Sequence, residues 1–190
     1  MKYLLCVLGF LLWALSLEGQ CKPAVDVVDE FDSVRTVAAK PINAGYMVPS
    51  NFQTVDGIAM IEEAKLLFLY SEKDSIRSFF LTVAVPEREY LSIESGFNVL
   101  LKLDDEQVVG LMNVPDQGLF DNKTNMRLYQ HVCVIPMDLF FALTHLKIEK
   151  IRINYKTYKH TIELTPPQQE AIRKAIRCVG ETVGLFSVKP

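Results

Sequence analysis

His131 and Cys133 are the one place where the chain sets a nucleophile beside a base at short spacing. Two apart in a strand, their side chains share a face, where they can act as a nucleophile-base pair or as two ligands of a zinc site. A working thiol also needs a neighbour that favours the thiolate and a third group that orients the base, and the sequence locates no orienter. Tyr129 and Ile135 fall on the same face, so ordinary core packing is the better account and the catalytic pair is the alternative. Of the other two histidines, His145 near the end of an expected helix complements the helix dipole. His160 begins an apolar strand face and is expected at its rim. HExxH, paired CxxC, a glycine-rich phosphate loop and GxSxG are absent from the sequence, so neither a metal nor a cofactor is expected.

Positive charge is most concentrated at Lys147, Lys150, Arg152, Lys156 and Lys159. Lining one exposed sheet face, these side chains would suit an acidic glycan, a lipid headgroup or an envelope protein. The competing account is cross-strand pairing with Glu149 and Glu163. Asp104, Asp105 and Glu106 read as a solvated turn, because a three-residue tip supplies too few oxygens for calcium. With a net charge of −3, nothing points to nucleic acid.

Residues 1–20 read as an export signal: Lys2 gives a positive start, residues 3–15 carry no charge, and Glu18 interrupts the run before it could span a bilayer. The expected compartment is therefore periplasmic or extracellular. Cys21 at the probable cut admits a lipid-anchored alternative, although Glu18 and Gln20 are poor flanks for it. Cys21, Cys133 and Cys178 remain after the signal. Export permits a disulfide; if one forms, the preferred pair is Cys133 with Cys178, since both lie in expected core segments, and the equal alternative is that both are small buried hydrophobes. Asn122-Lys123-Thr124 matches the N-glycosylation triplet.

The elements that must position these residues are mostly strands. Residues 21–56 read as a leader and irregular segment, acidic at first and then rich in Pro, Gly, Asn and Ser, with one short strand expected near residues 33–37. Residues 57–65 lean to strand. Residues 66–70 and 78–85 form an expected hairpin that ends at Pro86, and residues 90–93 a further short strand. Residues 97–103 and 107–114 form a second hairpin, with Val99, Leu101 and Leu103 on one face. A turn-rich loop leads to a strand over 127–135, and Leu139, Leu143 and Leu146 recur at helical spacing after Pro136.

The clearest pattern is a half-buried hairpin. Ile151, Ile153 and Tyr155 alternate with polar residues, as do His160, Ile162 and Leu164. Thr165, Pro166 and Gln168 then open a helix as a capping box, its stripe is Ile172, Ala175, Ile176 and Val179, and Gly180 is expected to stop it. The whole reads as one α+β domain over residues 57–190, mainly antiparallel sheet with a short helix and a C-terminal helix packed on it.

Overall fold

A computed structural model describes residues 21–45, 48–54, 57–61, 64–122 and 126–186. The export segment and Lys123-Thr124 of the glycosylation triplet lie outside them. Thirteen strands and two helices are present among the described residues: β1 (Val25–Val28), β2 (Arg35–Ala38), β3 (Ile42–Asn43), β4 (Val48–Thr54), β5 (Gly57–Ile61), β6 (Lys65–Lys73), β7 (Ile76–Glu87), β8 (Gly96–Leu103), β9 (Val108–Pro115), β10 (Leu119–Asp121), β11 (Met126–Ile135), α1 (Met137–Leu143), β12 (Ile148–Asn154), β13 (Lys159–Glu163) and α2 (Pro166–Thr182). The architecture is antiparallel α+β, as the patterning implies. Eleven strands make one sheet, in the order β1-β2-β6-β7-β11-β9-β8-β12-β13 with β3 on β6 and β10 on β11, while β4 and β5 pair only with each other.

Each main hairpin follows from local chemistry. β6 and β7 alternate along their length, so Leu66, Phe68, Tyr70, Phe79, Leu81 and Val83 point to one side and are buried. Asp74 and Ser75 join them with φ of 50° and 68°, the left-handed pair of a two-residue turn whose twist matches the strands. β8 and β9 turn at Glu106, φ 67°, where Asp105 Oδ1 accepts the Gln107 N–H at 3.1 Å. β7 runs through Pro86 rather than ending there, because Pro86 pairs with Leu128 of β11 while the β6 ladder has already stopped at Ala84. A strand with one neighbour accommodates a missing N–H.

α2 touches β2, β3 and β6 near one end of the sheet and β12 near the other, so the sheet curls around it. Ile172, Ile176 and Val179 are buried in the core that Val37, Phe68, Leu101 and Ile151 share. Each such side chain contributes roughly 1.5–3 kcal/mol of burial. At the N-terminus Gln168 Oε1 accepts the Thr165 N–H at 2.8 Å, and Gln168 Nε2 donates to the Asn43 carbonyl at 3.0 Å. The helix does not stop at Gly180, which is buried inside it against Phe140 and Phe186. Gly184, φ +73°, terminates it instead: Leu185 N–H bonds Gly180 O and Gly184 N–H bonds Glu181 O, which satisfies two carbonyls the helix would leave open.

Three regions differ from the expectation. Residues 21–45 are not a leader outside the domain. β2 pairs with β6 from Arg35↔Glu72 to Ala38↔Leu69, and Val37 is fully buried. Likewise β4 and β5 form a ladder where a loop and a single strand were expected. Residues 90–93 form no strand: the Leu91 N–H donates to Tyr129 Oη at 2.7 Å and Ser92 O accepts from Lys156 N, so the segment spends its backbone groups on a side chain and a turn rather than a ladder.

Candidate functional site

β11 is a central strand, flanked by β7 and β9, and it carries His131 and Cys133 into the interior. Both are at 0% exposure, with Tyr129 and Ile135 buried on the same face. His131 Nε2 lies 3.1 Å from Tyr155 Oη, and Nδ1 lies 3.3 Å from Asn113 Nδ2. Asn113 Nδ2 also donates to Asn98 Oδ1 at 2.8 Å, so Nδ1 is the ring's acceptor and Nε2 its donor to Tyr155. The imidazole is therefore committed to Tyr155 and Asn113, while the Cys133 thiol points at Asn113 Oδ1, 3.9 Å away. Burial pushes the Cys133 pKa up to about 12 and the His131 pKa down to about 4. These directions oppose thiolate formation, so the geometry favours a satisfied core network and not a nucleophile with its base. No cluster of three His, Cys, Asp or Glu suited to a metal occurs among the described residues.

His160 is not a rim residue. It is buried at 2% exposure, and its Nδ1 meets Glu87 Oε1 at 2.7 Å. Glu87 sits at the end of β7 just past Pro86, where the sequence reading had already closed the strand, so this buried pair joining β7 and β13 was missed. An acid directly after an apolar strand is the signal that could have marked it. His145 is exposed beyond the end of α1.

Several side chains of the basic stretch already have partners. Lys150 pairs with Glu163 at 2.6 Å, Lys156 pairs with Glu94, and the Arg152 Nε donates to Thr161 Oγ1 at 3.0 Å. Lys150 and Arg152 line a shallow pocket of about 110 Å3 with Lys102, Leu100, Val108 and Thr161, and Lys159, opposite Asn154, stands on the same polar face of the hairpin. This pocket lies on the sheet face opposite the helices. Further along that face the ladders align two rows across four strands: Leu69, Phe80, Val134 and Met112, and beside them Leu67, Thr82, Val132 and Val114. None of the eight is buried. Seven of them are apolar on a face that neither helix covers.

The disulfide is Cys21–Cys178, with Cα atoms 5.2 Å apart, and among the described residues Cys133 is the free thiol. This corrects the expected Cys133–Cys178 pair: Cys133 points into the core from β11, whereas Cys178 stands on the side of α2 against the N-terminal segment. The same bond occupies the Cys21 sulfur on which the lipid-anchored alternative depends. Comparison of the chain with protein-family models, with curated proteins and with solved structures finds no match.

Proposed function

We propose that this chain is an exported, non-enzymatic binding module that works through the uncovered face of its sheet. The observation that carries this reading is the pair of registered rows, apolar at seven of eight positions, six of the eight half-buried and Val114 and Val134 exposed. Contiguous apolar surface of this kind marks an interaction site more often than solvated surface does. Lys102, Lys150 and Arg152 line a pocket further along the same face, so the partner presents apolar surface together with acidic groups, the chemistry of an anionic lipid surface in an envelope. The Cys21–Cys178 bond supports an oxidising compartment, in keeping with the export signal read from residues 1–20. Burial of His131 and Cys133 weighs against the thiol enzyme.

The test is cosedimentation with vesicles that contain or lack anionic lipid. Binding to the anionic vesicles alone is expected, and Val134→Asp or Arg152→Glu should each weaken it about tenfold while leaving the thermal midpoint within a few degrees. Equal binding of the variants, or none by the parent chain at low salt, would reject this face as the lipid-binding surface.

A further inference from the structure

A groove of about 660 Å3 runs along α2, between that helix and the residues next to Cys21 and Ile42. Lys22 and Lys40 stand on one wall, and Arg173, Lys174 and Arg177 on the other. Only two carboxylates line it, Glu170 and Glu181, and Glu170 is held by Arg173 at 2.8 Å. Among the described residues no carboxylate comes within ion-pair distance of Lys22, Lys40, Lys174 or Arg177. Its apolar lining is small: Ala39, Ile42, Ala171 and Ala175. The groove is thus cationic at its walls, with room for a ring between them.

The chain carries the complement of this groove at another place. The tip between β1 and β2 holds Asp29, Glu30 and Asp32 around Phe31, which is 97% exposed. All four residues of β1 are exposed as well, and the tip extends past the last β2–β6 pair, Arg35↔Glu72. Asp29 Oδ1 accepts the N–H groups of Phe31 at 2.8 Å and Asp32 at 3.2 Å, and Asp32 Oδ1 accepts that of Val34 at 3.1 Å. A tip tied in this way loses little freedom on docking. It cannot reach the groove of its own molecule, because the ladder from Val25↔Ala38 to Val28↔Arg35 alone spans about 10 Å, and Lys22 and Lys40 lie two or three residues beyond its far end.

We propose that the groove receives the β1–β2 tip of a second copy of this chain, Phe31 lying on the alanine and isoleucine side chains and the three carboxylates facing the five cations. Two different surfaces meet in such a contact. It is therefore heterologous, and copies join head to tail into a ring or an open filament.

Sedimentation velocity of the disulfide-bonded chain tests this. Association that grows with concentration at about 0.05 M salt and weakens at about 0.5 M is expected. Two double variants, Glu30→Lys with Phe31→Ala and Lys174→Glu with Arg177→Glu, change exposed or groove-lining side chains only. Each alone should lose at least about tenfold in association constant. Their equimolar mixture should form a dimer and nothing larger, since each retains one intact half. A parent chain that stays monomeric at low salt would overturn the proposal, as would a mixture that fails to pair. Loss in the groove variant with none in the tip variant would also overturn it, and would assign the groove to another acidic ligand. The sheet-face reading is untouched by any of these outcomes, because neither variant lies on that face.

Discussion

His131 shows how a residue suited to chemistry is withdrawn from it. Its ring is sealed between Tyr155 and Asn113, and desolvation holds its pKa near 4, against about 6.5 in an unfolded chain. The native state therefore binds fewer protons than the unfolded state between these values, and unfolding takes one up. The contribution of His131 to stability is fully present above about pH 6.5 and is lost as pH falls towards 4, about 3 kcal/mol across the window. Urea unfolding of the parent chain should show this slope between about pH 6.5 and 4.5, and His131→Gln should flatten it. Cys133 is expected to resist alkylation in the folded protein at pH 8 and to react in urea, because its thiol is buried and its pKa raised to about 12. Modification of the native chain at the unfolded rate would contradict the buried placement.

At the scale of elements, Gln168 binds more of the fold than its place in a cap suggests. It accepts from Thr165 and donates to Asn43, fastening α2 to β3. Gln168→Ala should cost about 1–2 kcal/mol, read from the chemical midpoint, and more than an exposed alanine change such as Lys174→Ala. The cap itself was legible because Thr165, Pro166 and Gln168 are adjacent in sequence. So were the hairpins of β6–β7, β8–β9 and β12–β13, where burial on one face imposes a period of two. β1 was not, since all four of its residues are exposed and no alternation results. β2 was legible only as a fragment, because its pairing with β6 is set by residues about 35 positions away. Leu91 reads as strand for its side chain, yet its N–H is spent on Tyr129. The candidate site followed the same division: that His131 and Cys133 share a face is local, whereas Tyr155, Asn113 and Glu87 come to the histidines only through the sheet order.

For the whole molecule the Cys21–Cys178 bond closes a span of 157 residues. Its location required α2 to be docked beside the N-terminal segment, which no local pattern reveals. Reduction, or Cys178→Ala, should lower stability by about 3–5 kcal/mol, since a loop this long restricts the unfolded chain strongly. Calorimetry with and without reductant measures the shift, and labelling after native reduction should mark Cys21 and Cys178, with Cys133 still hidden.

The position of that bond also sets a problem of timing. A chain that crosses a membrane N-terminus first presents Cys21, then Cys133, and Cys178 only when α2 follows. In a chain exported in that order, Cys133 would be the one cysteine after residue 21 that Cys21 could meet until then, with β11 not yet packed in a finished core. On the proposed export route an oxidising compartment would then favour a Cys21–Cys133 bond first, which the Cys178 thiolate of α2 would have to displace by thiol exchange. Cys133→Ser should then reach the Cys21–Cys178 bond sooner than the parent chain during oxidative refolding, as read by trapping free thiols over time.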